Sequence, residues 1–334
     1  MDRQRPRRRH VPRLAIVGAG RAGHALGLAL SAAGYPILSV SSRSPVSAAA
    51  LAAQLPGAQV GPPTTADLVL LTVPDSAIST VVAGFPWRPG QAVVHCAGAY
   101  GREVLQAAAA AGALTGAWHP LQSLATPRPD LFRGVSFAIE APPPLAVTLR
   151  TLTRALGGVP LALPTGQRLL YHLGATLVSN YSVALVALAA DLWAELGIDR
   201  RTATAALAPL LAGTAANLAA VGLPEALTGP IARGDAPTIA RHLAALTAFR
   251  PHLLPLYHAL GQAALRLARE RGLSAERAAA LEAWLAPPET RPRRSQEAHD
   301  DAAAHDPRVP GDEGPPRTDR HADGVRLPNG QTAG

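Results

Sequence analysis

Leu14-Ala15-Ile16-Val17-Gly18-Ala19-Gly20-Arg21-Ala22-Gly23 runs directly into Ala25-Leu26-Gly27-Leu28-Ala29-Leu30. An apolar run that ends in G-x-G-x-x-G and passes into a small-residue helix is the setting in which this motif binds a dinucleotide. Gly18 allows the tight turn and Gly20 lets a pyrophosphate approach the backbone. Gly23 lets the helix pack on the strand, so that the phosphates meet the helix N-terminus around Arg21 and Ala22. A second strand is predicted from Pro36 to Ser42, where a βαβ unit needs it. An NAD site usually places an acid about 20 residues past the glycines, whereas an arginine there accommodates the 2′-phosphate of NADP. The chain reads Val40-Ser41-Ser42-Arg43-Ser44, with no acid, and NADP(H) is therefore the expected cofactor, held by Ser42 and Arg43. A solvated surface arginine is the competing reading of Arg43.

Outward from this loop, apolar strands alternate with Ala-rich helices to about residue 140, as Leu68 to Val73, Ala92 to His95, Gly116 to Trp118 and Val135 to Ile139 show. A last βαβ-like excursion, Leu149 to Leu163, then leads into helices only. The expected fold is an α/β Rossmann-like dinucleotide-binding domain followed by an all-α C-terminal domain. The expected division is 1–11 as a basic arm, 12–145 as the nucleotide domain, 146–286 as a mainly helical substrate and dimerisation domain, and 287–334 as a disordered tail. A single helix from Gln167 to Gly197 is apolar almost all round, which predicts burial at a domain or dimer interface and a homodimer. Polar residues inside it, Ser179, Asn180, Ser182 and Asp191, argue against a membrane span.

The chain has 334 residues, 48% of them hydrophobic, and a formal net charge of +8 concentrated in an Arg-rich start. That start has no accompanying aromatic residues or nucleic-acid module, so no nucleic-acid partner is expected. One cysteine, Cys96, excludes an intrachain disulfide framework, and no signal-type apolar segment follows the arginines, which together predict a cytoplasmic protein. None of the eleven histidines has Cys or acid partners at ligand spacing, so no metal is expected.

Thr72-Val73-Pro74-Asp75-Ser76-Ala77-Ile78 resembles the fourth-strand element of pyrroline-5-carboxylate reductases and prephenate dehydrogenases. His95-Cys96-Ala97-Gly98-Ala99, Trp118-His119-Pro120-Leu121-Gln122, Tyr171-His172 with Ser179-Asn180, and the stretch from Thr228 to Asp235 resemble a narrower group. This is a bacterial family of provisionally described oxidoreductases that joins a Rossmann-like domain to a domain of unknown function, the 2520 type. The resemblance covers about residues 12–285 and implies an NAD(P)-dependent reductase acting on the C=O or C=N of a small, carboxylate-bearing metabolite. Ketopantoate reductase-like chemistry is one candidate. Two other readings stay open, a prephenate or arogenate dehydrogenase-like enzyme and a non-catalytic NADPH-binding regulatory protein.

In β-hydroxyacid dehydrogenases and ketopantoate reductases a lysine stands one turn before an Asn. Asn180 matches that Asn, but Thr176 occupies the lysine position, and the whole chain contains no lysine, its 31 Lys and Arg residues all being Arg. The proton donor must then be another group. His172, Thr176, Ser179 and Asn180 share one helical face, at i, i+4, i+7 and i+8, which makes His172 the first candidate. Hydrogen bonding across a dimer interface is the competing reading of that stripe. His119 follows a strand at the edge where open α/β sheets bind ligands, either to touch substrate or to orient its loop. Val73, Pro74, His95 and Gly98 are expected to line the nicotinamide side, and Arg233 to reach a substrate carboxylate unless it serves a surface salt bridge.

Overall fold

The computed structural model describes residues 11–286. The expected tail, and the expected arm apart from Val11, lie outside the described residues. The chain divides into two compact units, Met1–Ala220 and Val221–Gly334.

The first unit begins with β1 (Leu14–Val17), α1 (Arg21–Ala32), β2 (Ile37–Ser41), α2 (Pro45–Ala52), β3 (Gln59–Val60), β4 (Leu68–Leu71) and α3 (Ile78–Ala83). It continues with β5 (Ala92–His95), α4 (Gln106–Ala110), β6 (Leu114–Pro120), β7 (Ser136–Glu140), α5 (Pro143–Ala155) and β8 (Val159–Ala162). The eight strands form one sheet in the order β3-β2-β1-β4-β5-β6-β7-β8, parallel except where β7 runs against β6. β1 and β4 are buried at every position, as strands covered by helices on both faces must be. Alternation along β1 sends Leu14 and Ile16 into the core beneath α1, α2 and α5, and Ala15 and Val17 into the core beneath α3 and α4. A Cβ on Gly27 of α1 would meet Ile16 Cδ1 at 2.9 Å, so this glycine lets the helix sit down on the strand.

The sheet does not end at residue 145. β8 pairs in parallel with β7, and α5 packs on this part of the sheet, where the fully buried Trp118 of β6 stacks on Phe137 of β7 at 4.9 Å and donates to the Thr153 hydroxyl of α5 at 2.9 Å. That tie makes the last βαβ excursion part of the nucleotide-domain core.

The predicted long helix is two, α6 (Arg168–Val178) and α7 (Asn180–Trp193), separated at Ser179. The Ser182 hydroxyl donates to the Val178 carbonyl at 2.6 Å, a back-bond of the kind that bends helices. α8 (Arg200–Val221) follows. The expected burial of this segment is not met within the chain: Arg168 is the one buried residue of α6 and Ala190 the one of α7, while Leu169, Val178 and Val183 are 70–76% exposed. α6 with α7, and α8 alone, are long and apolar enough to cross a membrane by length and composition.

The second unit holds α9 (Gly229–Arg233), α10 (Ala236–Phe249), α11 (Leu254–Glu270) and α12 (Ala275–Leu285) around Ile239, Leu243, Leu265 and Leu281. Asp235 caps α10 by accepting from the Thr238 N–H, with Pro237 in the first turn.

Candidate active site

Parallel pairing in register lines up Ser41, Val17, Leu71, His95 and Ala117 across five strands. Ser42, Gly18, Thr72 and Cys96, which follow the first four, therefore emerge along one edge of the sheet, while β6 runs on through the buried Trp118 to Pro120. β2 and β4 flank β1 on opposite sides, and this reversal of strand order opens a crevice where doubly wound sheets take ligands.

The crevice holds a cleft of about 670 Å3 lined by Gly18, Gly20, Ser42, Arg43, Val73 and Pro74. Gly18 has φ +113°, and the Thr72 hydroxyl donates to its carbonyl at 2.6 Å, which pins the turn. A Cβ on Gly23 would overlap the Gly18 carbonyl oxygen, whereas one on Gly20 would meet nothing within 4 Å. The loop is thus closed on its helix side and open on its cleft side, as a pyrophosphate cradle requires. Arg21 begins α1 and is exposed, and Ala22 is half-buried beside it. Ser41 lies beside the same cleft, its hydroxyl buried and without a partner among the described residues. No acid ends β2, and the exposed Arg43 lies free at the rim. These residues fit an NADP-type dinucleotide.

A second cleft, of about 780 Å3, is lined by His119, Tyr171, His172, Thr176, Ser179 and Asn180. The stripe expected from helical spacing is thus gathered at the end of β6. The Tyr171 hydroxyl lies 2.9 Å from His119 Nδ1, and the rings of His119 and His172 are 6.2 Å apart and nearly perpendicular. Gly98 fits beneath them, since a Cβ there would overlap His172 Cδ2 and come within 3.1 Å of His119 Nε2. The Thr176 hydroxyl is spent on the His172 carbonyl at 3.0 Å.

His95 does not reach either cleft, contrary to expectation. It is wholly buried, with Nδ1 accepting from the Ala97 N–H at 3.2 Å and Nε2 facing the Gly101 carbonyl at 2.9 Å. Both ring nitrogens shape the loop after β5, which leaves none for a cofactor. Burial pushes the Cys96 thiol up to about 12, so it stays protonated and is no nucleophile. Arg233 belongs to the second unit, where it is exposed and its carbonyl accepts from Arg277 at 3.4 Å.

Two residues of this region were missed in the sequence. Tyr171 lies next to His172 but off its helical face. Arg168 is an arginine, a type expected on the surface, yet it is 2% exposed, donates from Nη2 to the Ala97 carbonyl at 2.8 Å and leaves Nε and Nη1 unpaired. Burial, then the charges of Arg168 and His172, push the His119 pKa down to about 4, and burial raises Tyr171 to about 12. His119 is accordingly a neutral imidazole near pH 7.

Stability should follow these histidines. His95 and His119 both have folded pKa values of about 4, below the unfolded value near 6.5, so the unfolded chain binds more protons between those pH values. Stability is full above pH 6.5 and declines towards pH 4, by a few kcal/mol in all at about 1.4 kcal/mol per unit per group. Urea unfolding at pH 7 and pH 4.5 checks this, and His119→Gln should roughly halve the difference, leaving the part due to His95.

A strand-edge cleft over a glycine loop, continued by a helical part, defines a Rossmann-like protein with a helical C-terminal region. Residues 3–120 match the model of a Rossmann-like domain and residues 135–264 that of a domain of unknown function, DUF2520. The chain joins these two domains. A protein of Bacteroides fragilis provisionally described as an NADP oxidoreductase, BF3122, is similar in structure with a TM-score of 0.60 and 27% identity, over 76% of this chain and 97% of that one. Protein TM1727 of Thermotoga maritima matches with a TM-score of 0.65 and 23% identity, over 77% and 99%. An imine reductase from a Pseudomonas species matches with a TM-score of 0.52 and 18% identity, over 72% and 88%. These last two share the fold. No curated protein matches the sequence.

Proposed function

We propose that the protein is an NADPH-dependent reductase of the C=O or C=N bond of a small metabolite. The observation that carries this is the pair of clefts, one lined by the glycine loop and the residues after β2 and β4, the other by His119 of β6 and His172 of α6. The 27% identical Bacteroides protein, described as an NADP oxidoreductase, supports the same reading. The cofactor, when bound, supplies a hydride. The Gly18 loop would hold its pyrophosphate, Arg43 and Ser42 its 2′-phosphate, and Val73 and Pro74 its nicotinamide side. His119, held neutral and tied to Tyr171, orients the cluster, while His172 gives the proton to the developing alkoxide or amide nitrogen. Ser179 and Asn180 orient substrate at the cleft rim. Ketopantoate-like carboxylates head the candidate substrates.

Fluorescence titration tests the cofactor. NADPH should bind more tightly than NADH, and Arg43→Ala should lose roughly 10–100-fold in NADPH affinity, since hydrogen bonds to charged groups contribute about 1.5–3 kcal/mol. Equal affinity for both cofactors in the wild-type chain would overturn the assignment.

The same reading includes a cytoplasmic homodimer, its interface formed by the exposed apolar faces of α6 and α7. Light scattering in detergent-free buffer should give twice the chain mass. A stable monomer at micromolar concentration, or insolubility without detergent, would contradict it.

A further inference from the structure

Arg168 opens α6, one turn before Tyr171 and His172, and is buried. Burying a guanidinium with Nε and Nη1 unpaired is costly, and a cation at the N-terminal end of a helix also opposes the helix dipole. Glu140 is its foremost counter-charge, yet no hydrogen bond closes the pair, since Glu140 Oε2 is buried without a partner too. Core packing alone would be served as well by an apolar side chain. What the arginine does make is the bond from Nη2 to the Ala97 carbonyl at 2.8 Å. Ala97 is held from its other side as well, its N–H donating to His95 Nδ1 at 3.2 Å. Gly98 comes next and is the floor of the imidazole pair, where a Cβ would overlap His172 Cδ2 and come within 3.1 Å of His119 Nε2. One side chain therefore joins the start of the helix that carries His172 to the peptide on which His172 rests.

We propose that Arg168 is a positioning residue of the histidine cleft, clamping α6 to Ala97 so that His172 stands over Gly98, and setting its buried charge beside the imidazole pair. Its effect on turnover rests on the reductase reading above, whereas its effect on the two rings does not. The groups that face His119 are Arg168, Tyr171 and His172 of α6 and His95 of β5, and Arg168 is the foremost charge among them. Burial first, and then that charge, hold the His119 pKa down at about 4. Arginine suits this task because its guanidinium stays charged even when buried.

Arg168→Gln and Arg168→Lys test this in the full chain, with isotope-labelled histidine rings titrated by NMR and the His119 signal identified by its loss in His119→Gln. In Arg168→Gln the His119 midpoint should move up from about 4 towards the ordinary value near 6.5, and in Arg168→Lys, which keeps the charge, it should stay well below that of Arg168→Gln. NADPH affinity should stay within about twofold of wild type in both, because the cleft at the glycine loop is lined by other residues. Single-turnover hydride transfer, on whichever compound the wild-type enzyme reduces, should slow roughly tenfold or more in Arg168→Gln and partly recover in Arg168→Lys, since a misplacement of about 1 Å can cost about 10²-fold. A purely structural arginine would lower the melting temperature of both variants and leave the midpoint alone. An unmoved His119 midpoint in folded Arg168→Gln, a midpoint as high in Arg168→Lys as in Arg168→Gln, or wild-type hydride transfer in Arg168→Gln would each overturn the proposal. If Arg168→Gln fails to fold, Arg168→Lys decides, a midpoint near 4 supporting the proposal and one near 6.5 overturning it. A wild-type chain that binds no NADPH and reduces nothing would count against the reductase, while the titration still decides on Arg168.

Discussion

Gly20→Ala and Gly23→Ala are expected to separate the two jobs of the glycine loop. A Cβ at position 23 overlaps the Gly18 carbonyl oxygen, which is backbone and is itself fixed by the Thr72 hydroxyl, so neither side can give way cheaply. Forcing extra volume into such packing costs roughly 1–3 kcal/mol or more, and Gly23→Ala should therefore lower the melting temperature and NADPH affinity together. At position 20 the added methyl meets nothing, and the residue has φ −86°, which alanine adopts without strain. Gly20→Ala should keep its melting temperature within a degree or two, because the change from glycine at an N-cap costs roughly 1 kcal/mol or less. Its methyl would stand where the pyrophosphate must approach, and NADPH affinity should fall roughly tenfold or more, the equivalent of about 1.4 kcal/mol. Thermal melts with NADPH titrations decide it. Unchanged affinity in Gly20→Ala would show that the phosphates do not lie on this loop.

Gly98→Ala should behave as a remote copy of His172→Ala. The new methyl would overlap His172 Cδ2, so the imidazole must shift from its place in the cleft. Losing a general acid slows turnover about 10²–10⁴-fold, and both variants should show this with NADPH affinity preserved. His119→Ala should be milder, since the role proposed for this neutral, Tyr171-bonded imidazole is to orient the cluster. The assay is NADPH oxidation against a panel of 2-keto acids and cyclic imines, followed by single-turnover measurement on whichever compound the wild-type enzyme reduces. Full activity in His172→Ala would take this residue out of the mechanism, and full activity in Gly98→Ala would show that the packing against His172 is not needed.

Short-range physics made the nucleotide half legible. An apolar strand, a glycine at φ +113° and a small-residue helix are each specified within a dozen residues, and so is the absence of an acid after β2. The stripe of His172, Thr176, Ser179 and Asn180 was readable for the same reason, since helical spacing survives the bend at Ser179. His95 was misjudged because a strand-end histidine looks free in one dimension. Its partners, Ala97 and Gly101, are close in sequence, but only the loop geometry turns them onto its ring.

What the residues by themselves determined is the Rossmann-like order, the glycine loop between β1 and α1, the lack of any lysine and the helical second part. Each follows from local conformational preference or from composition, which do not depend on distant contacts. The tertiary structure alone decided that the sheet runs on to β8, that Arg168 is buried against Ala97, that Tyr171 meets His119 and that Glu140 is buried beside Gly101. These partners are far apart in the chain, 52 residues for His119 with Tyr171 and 71 for Arg168 with Ala97. Their polar partners are set by which surfaces the packing of the core brings together, and no periodicity in the chain encodes that.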